Sequence, residues 1–553
     1  MIFNLTLGHK ELIQRARRDT RRKRVIQQQK QIDMAWYKEI KGIFHRRSLA
    51  NQQGGGEAVN KQHQRGKLTI RERIDALCDA KSFSEQGKIA GAAHLDENLE
   101  IDSFTPANYL LGVGRLDARN VVVGGEDFTL KGGSPNAAGL RKSVYAEHLA
   151  VDLQIPLVRL LEGGGGSVNN SDQDPRKPQT VGSALHELPR FQIIAKAMAT
   201  VPVVSAALGP VAGFPAGRLV ASHLSIMTRE TSQVMIGGPA LVRRALGLKL
   251  TKQELGGASV HESSGVVDNV VEDEYEAFRL IRRFLGYLPD NSASIAPQLP
   301  CSDPVDRCAD ELSGIVPENR RQAFDVRKII NSVVDHQSFF EIAPKYGPGL
   351  VVGIARLNGQ SVGITANDCR HFAGAMTAAA AQKMRRQIEF CETFHLPLIN
   401  FVDEPGFMIG PDAERDGTIR YGMAAVSAAA EATVPWASVR IHKSFGVAAA
   451  AHYGPNAYIL DWPSAQTGAL PLEGGVAVAY GREIAASPDP EAKRAEIEAR
   501  LAANRSPFQR AESFAVHELI DPRETRPYLC RWLSWNEHKL LARNKPGQFT
   551  IRP

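Results

Sequence analysis

Four stretches of this 553-residue chain strip side chains from the backbone immediately after an apolar run. Glu162-Gly163-Gly164-Gly165-Gly166-Ser167 follows Pro156-Leu157-Val158-Arg159-Leu160-Leu161, and Gly209-Pro210-Val211-Ala212-Gly213-Phe214-Pro215-Ala216-Gly217 follows the run 201–208. Asp403-Glu404-Pro405-Gly406-Phe407 and Ser444-Phe445-Gly446-Val447-Ala448-Ala449-Ala450 stand in corresponding places further on. Loops of this kind present bare N–H groups. Two preorganised N–H donors near a helix start suit an oxygen that gains negative charge during a reaction, each worth about 3 kcal/mol in a water-excluded site. A phosphate-binding loop would need G-x-x-x-x-G-K-[ST], whereas Ser167-Val168 follow the glycines here. A dinucleotide fingerprint, G-x-G-x-x-G, is at most half present at Gly163 to Gly166. Close packing of a helix on a strand would select the same small residues, so the glycines alone leave both readings open.

The elements that must position these loops are written twice. Arg115-Leu116 recurs as Arg356-Leu357, 241 residues on, and the register holds through Val121/Val362, Asp127/Asp368, Gly133/Gly374 and Ile155-Pro156-Leu157/Leu396-Pro397-Leu398. A second register, offset by 233, matches Val201-Pro202 with Val434-Pro435, Ser205 with Ser438, Gly213 with Gly446 and Gln233 with Gln466. A period this long means two fused copies of a whole domain, not a solenoid. The apolar runs at 121–125, 156–161, 201–208 and 224–227 have the length of buried strands. Ala146, Leu149, Ala150 and Leu153 mark one helix face in the first copy, and Met384, Ile388 and Cys391 the same face in the second. Strand, crossover helix and strand imply an α/β fold with largely parallel sheets. The expected division is a basic segment 1–33, an N-terminal domain 34–300 and a C-terminal domain 301–553.

Composition bounds the function. With 43% hydrophobic residues the chain can bury two large cores, and no apolar run reaches the roughly 18 residues of a membrane span. The net charge of +7 sits mainly in residues 1–33, where nine basic residues face Glu11, Asp19 and Asp33. A Gln- and Arg-rich segment of this kind is expected to be a disordered tail or an upstream-start artefact, with Met34 as the alternative start. No basic or aromatic pattern continues beyond it, which argues against nucleic acid as a partner. Cys78, Cys301, Cys308, Cys369, Cys391 and Cys530 contain no C-x-x-C pair, so neither a zinc ribbon nor a disulfide framework is signalled. A reducing compartment follows. The cytoplasm is the expected location and the mitochondrial matrix the alternative, although a transit peptide would avoid the acidic residues found here.

From His63 to about Trp532 the sequence resembles the biotin-dependent acyl-CoA carboxyltransferases, the β subunits of propionyl-CoA and methylcrotonyl-CoA carboxylases. The matching segments include RGKLTIRERIDAL (65–77), ELGGASVHESSGVVD (254–268), DPVDRCADEL (303–312) and VDEPGFMIGPDAER (402–415). The resemblance implies tandem crotonase-like domains and transfer of a carboxyl group from carboxybiotin, carried on a partner, to the α-carbon of an acyl-CoA. It implies no metal and no nucleotide in this subunit, a biotin carboxylase and biotin carboxyl carrier α subunit as partner, and a homo-oligomer, commonly a hexamer. Gly164 and Gly165 match the pair whose amides hold the thioester enolate, and Val447 and Ala448 the pair facing the biotin ureido oxygen. Gly213 and Phe214 are candidates to border the CoA arm, with core packing of Phe214 as the alternative. Ala450 falls where relatives tune the acyl pocket, and its small side chain suggests room for a longer or branched acyl group.

The sequence departs from the family at Val447, a β-branched residue where close approach is needed, so its amide serves only if the residue keeps a negative φ. The first loop also reads E-G-G-G-G-S where relatives more often have D-S-G-G-A-R. Two other functions stay open: a decarboxylase subunit using the same site, and a non-catalytic scaffold. Three further pairs draw notice. His261-Glu262 on a strand would point to opposite faces. Asp403-Glu404 could line the site or cap a helix at the surface, and Arg385-Arg386 is expected on a solvated helix face, with CoA phosphate contact as the alternative.

Overall fold

The computed structural model describes residues 36–98, 100–165, 190–319, 322–503 and 506–542. The 1–33 segment and the loop residues Gly166 and Ser167 lie outside them. In the first copy, β1 (Tyr109–Leu116) and β2 (Arg119–Glu126) form an antiparallel hairpin. A crossover helix, α1 (Ala137–Leu153), leads to β3 (Leu157–Gly163), and β4 (Val203–Ala212), the short α2 (Phe214–Val220), β5 (Leu224–Thr228) and β6 (Gln233–Met235) follow. Strands β2 to β5 pair in parallel in sequence order, and β6 adds to the far end of β4.

The second copy repeats this plan: β7 (Leu350–Leu357), β8 (Gln360–Asn367), α3 (Ala378–Phe394), β9 (Leu398–Glu404), α4 (Thr418–Glu431), β10 (Trp436–Phe445), β11 (Tyr458–Asp461) and β12 (Gln466–Gly468). The agreement extends to the hydrogen-bond register. Val122 opposite Leu157 becomes Gly363 opposite Leu398, Leu157 opposite Val203 becomes Leu398 opposite Trp436, and Pro210 opposite Gln233 becomes Lys443 opposite Gln466. Both offsets read from the sequence, 241 and 233, are therefore structural.

Local chemistry explains these elements. Strands covered on both faces are apolar in unbroken runs, as in the fully buried Val121, Val122 and Val123. The crossover helices start at Asn136 and Thr377, whose side chains accept from the N–H of Gly139 and Ala380, and each ends at a residue in the left-handed region, Gln154 or His395. Met384, Ile388 and Cys391 are fully buried; of the first-copy face, Ala146, Leu149 and Ala150 are buried while Leu153, in the last turn, is 47% exposed.

One apolar core runs through both copies. At the joint, Phe284 stacks on Phe390 at 5.9 Å and tilts against Phe340 at 5.8 Å, and His223 packs edge-on to Phe394 at 4.8 Å. Burial lowers the His223 pKa to about 3, so this imidazole is neutral at physiological pH. Arg386, expected on a solvated face, instead crosses the joint to the Asp268 carboxylate and the Ser222 carbonyl, while Arg385 pairs with Glu389 one turn on. An arginine brought to a buried acid loses less by leaving water than one left unpaired, and that competition decides its place.

Candidate active site

The glycine-rich loops emerge at the same end of each sheet, where β3 and β4, and in the second copy β9 and β10, stop. In the first copy the two loops touch: a methyl group added to Gly165 would lie 2.8 Å from the Gly213 Cα and 3.2 Å from the Phe214 nitrogen. Gly213 adopts φ 65°, ψ −128°, a conformation essentially restricted to glycine. Gly164 is half-buried and Gly165 exposed. The N–H groups of Gly164, Gly165 and Phe214 form no hydrogen bond within the described residues. Phe214 is half-buried, its ring edge-on to Phe191 at 5.8 Å and under the Arg218 guanidinium at 4.3 Å. The Phe214 ring thus packs on neighbouring side chains while its amide stays unbonded among the described residues.

The repeat register finds a donor that the glycine count missed. Gly213 and Gly446 are equivalent, both have φ 65°, and their N–H groups bond the equivalent carbonyls of Met235 and Gly468. Hence Phe214 stands where Val447 does and Pro215 where Ala448 does. Pro215 has no N–H, so the first copy presents one amide at this turn where the second presents two. Gly164 and Gly165 complete the first set from the neighbouring loop.

In the second copy the positive φ falls on Gly446, and Val447 keeps φ −70°, ψ −31°, ordinary for a β-branched residue. Val447 and Ala448 open a short 3-10 turn, Ala448–His452, and neither N–H is bonded within the described residues. Val447 is 56% exposed, Ala448 is buried and Ala450 is exposed. Beside this turn lies a cavity of about 330 Å³, lined by Lys443, Phe445, Gln466, Pro471, Leu472 and Cys369 among others.

Buried polar networks hold both loop sets. The Glu162 carboxylate, at the end of β3, takes Lys67, Arg73 at 2.7 Å and the Gln62 amide at 2.7 Å, and Arg73 also binds Glu274 at 2.8 Å. The Glu162 N–H in turn donates to Glu126, whose own carboxyl is pushed up by burial. The second-copy equivalent is Asp403, whose N–H donates to Asn367 and whose carboxylate accepts from the Lys443 N–H. Glu404, next in line, accepts from Asn367 and Gly406 and meets His452 at 3.3 Å; burial raises its pKa. Asp403 and Glu404 are fully buried, which removes the surface-cap reading. His261-Glu262 lie on a helix, Ala258–Ser264, not a strand. The His261 ring binds the Val234 carbonyl and Glu262 faces Arg229 at 3.7 Å, so they form no acid–base pair. Neither network was legible in sequence, since most of its bonds join residues 36 to 201 positions apart.

The carboxyl transferase domain family matches residues 61–548. The chain belongs to that family. Among curated relatives, this carboxyltransferase is 34% identical to the propionyl-CoA carboxylase carboxyltransferase subunit of Haloferax mediterranei, over 88% of this chain and 94% of the relative. It is 31% identical to the methylmalonyl-CoA decarboxylase subunit alpha of Veillonella parvula, over 91% and 96%. The carboxyltransferase also superposes on the crystal structure of transcarboxylase 12S, a hexamer solved with methylmalonyl-coenzyme A bound, with TM-score 0.79, 30% identity and coverage of 93% and 96%. The duplicated sheets are thus the tandem crotonase-like fold expected from the sequence. No helix among the described residues is long and apolar enough to cross a membrane.

Proposed function

We propose that this carboxyltransferase is the subunit of a biotin-dependent acyl-CoA carboxylase that moves CO2 from carboxybiotin, borne by a separate carrier subunit, to the α-carbon of an acyl-CoA. The observation that carries the reading is the pair of loop sets at one register of a duplicated fold, each offering unbonded N–H donors.

In this reading the first set receives the acyl thioester. Gly164, Gly165 and Phe214 donate to the thioester oxygen as α-proton loss turns it into an enolate oxygen, and Gly213 and the Phe214 ring border the CoA arm. The second set receives biotin. Val447 and Ala448 donate to the ureido oxygen, and the cavity beside them fits a compact, largely apolar ring system with a polar edge. Carboxybiotin supplies CO2 and then a ureido nitrogen able to accept a proton. Both donor sets favour charge that is present only as the reaction proceeds, which raises rate and not merely affinity. Buried Glu162 and Glu404 fix the loops from behind and do not move protons at the substrate.

The relatives' names favour propionyl-CoA and methylmalonyl-CoA as the acyl class, and small, exposed Ala450 favours some tolerance for branching. Exposed apolar side chains flank both loop sets, Ile236 and Leu241 in the first copy and Ile409 and Leu470 in the second. They support an assembly in which a further copy covers each set, and the transcarboxylase 12S neighbour is a hexamer. Decarboxylation is a second reading, favoured by the Veillonella parvula relative, and would use the same two turns.

The test is CO2 release from carboxylated acyl-CoAs by the purified protein, with and without biocytin. Biocytin-dependent release supports the reading, and a steady fall in rate from acetyl- to propionyl- to branched acyl chains would remove the roomy pocket. A folded oligomer that binds CoA but never turns over would favour the scaffold.

A further inference from the structure

Glu404 and His452 are both fully buried, 48 residues apart, and join the two loops that frame the second donor set. Glu404 ends β9. Its Oε1 accepts from the Gly406 N–H at 3.0 Å, and its Oε2 accepts from the Asn367 amide at 3.1 Å and meets the His452 Nε2 at 3.3 Å. His452 is the last residue of the 3-10 turn that Val447 and Ala448 open. Its carbonyl accepts from the Ser438 hydroxyl at 2.6 Å and the Trp436 indole at 3.0 Å, both on β10, and its Nδ1 is buried without a hydrogen-bond partner among the described residues. The imidazole therefore ties the end of the turn to β9 at Glu404 and, through Asn367, to β8, while its own carbonyl ties it to β10.

The equivalent first-copy positions are Gly163 and Leu219, which make no such link. There the end of β3 is held by the ion pairs of Glu162 instead. Burying an imidazole with one unmet nitrogen and a carboxyl of raised pKa is costly where an apolar pair would fill the same space. That cost is met only in the copy whose turn carries Val447 and Ala448.

We propose that Glu404 and His452 are a positioning pair for the biotin-side turn, holding the Val447 and Ala448 amides at a fixed height above the ends of β9 and β10. The inference rests on the reading of those amides as the ureido donors. Neither side chain touches substrate.

The test compares wild type, Glu404→Leu, His452→Leu and Glu404→Gln in biocytin-dependent decarboxylation of methylmalonyl-CoA, with hydrogen exchange of the 446–452 segment as a second readout. Each Leu variant should lower kcat on the order of tenfold or more while the acyl-CoA KM changes far less, because in this reading the thioester oxygen and the CoA arm are held by first-copy loops and only the acyl tail nears Ala450. Glu404→Gln, still able to accept from Gly406 and to bond the ring, should recover most of the rate. Exchange should accelerate at 446–452 and not at 163–165. Unchanged kcat, or exchange that rises equally in both copies, would overturn the pair. Should a Leu variant not fold, His452→Gln decides by the same two readouts. If wild type shows no biocytin-dependent turnover, the carboxyltransferase reading fails, and exchange at 446–452 alone still supports or overturns the tie.

Discussion

Gly165 and Gly213 meet across the mouth of the first sheet so closely that a methyl group on either would lie 2.8 Å from the Cα of the other. Real Cβ atoms do not tolerate that distance, so a side chain at either position forces the two loops apart. The Phe214 amide stands beside this contact, and the first donor set depends on it.

Gly165→Ala should therefore cost at least about tenfold in kcat/KM for the acyl-CoA while the protein remains folded, because the contact lies at an exposed loop. Gly164→Ala is the control, since among the described residues its added methyl would meet only the Ser134 hydroxyl at 3.6 Å. Steady-state kinetics of the two variants decide it: equal activity of Gly165→Ala and wild type would show that the loop contact does not shape the site.

At the second turn the positive φ belongs to Gly446 and not to Val447. Gly446→Ala should cost about 1–2 kcal/mol of stability from the left-handed strain and reduce biocytin-dependent turnover. Val447→Gly should change stability by about 1 kcal/mol or less and leave turnover near wild type. Urea unfolding and the biocytin assay on both variants check the order; a larger loss for Val447→Gly would mean that its side chain, not its amide, matters.

Glu162 carries the ends of β3 and its loop on a carboxylate shared by Lys67 and Arg73, all nearly inaccessible to water. Glu162→Gln leaves two buried cations short of their acid, and a loss of about 3–5 kcal/mol is expected. Lys67→Met should be milder, since Arg73 still pairs with Glu162 and Glu274. Denaturant midpoints at constant m-value test the order.

Lys383 sits between the two copies with its ammonium on the carbonyls of Tyr346 and Leu350, and burial lowers its pKa to about 7, with Glu341 opposing the shift. The unfolded chain holds this proton up to a pH near 10.4. Between pH 7 and 10 the unfolded state thus binds more protons than the folded state, and this group makes stability rise with pH, by up to about 1.4 kcal/mol per unit. Below pH 7 both states are protonated and the penalty is constant. Lys383→Met should flatten the pH 7 to 9 slope in urea titrations and gain most over wild type at pH 6; an unchanged slope would assign it to other groups.

The duplication was legible in the residues because sheet register is covalent bookkeeping: an offset of 241 carried through β2, α1 and β3 keeps each strand partner opposite its equivalent. Val121 to Val123 and the crossover helix faces could be read for the same reason, since burial on both sides leaves a continuous apolar signal. The glycine loops were visible by composition, and the resemblance of 65–77 and 402–415 to the family pointed to the use proposed for them.

What the linear chain could not show was which distant groups meet. Arg386 looked like a solvated helix residue because its partner, Asp268, lies 118 positions away and in the other copy. Asp403 and Glu404 read equally well as a surface cap until β9 was seen to end inside the protein. His261-Glu262, weighed on a strand, lie instead on the helix Ala258–Ser264, and there too they form no acid–base pair. The unbonded amide of Phe214, proposed above as a donor, was hidden by its side chain, since glycine counting tracks missing side chains while a donor needs only a free N–H. Local sequence determined the strands, the turns and where the backbone is bare; long-range packing in a low-dielectric interior decided which charges are buried together and therefore which loops stand still.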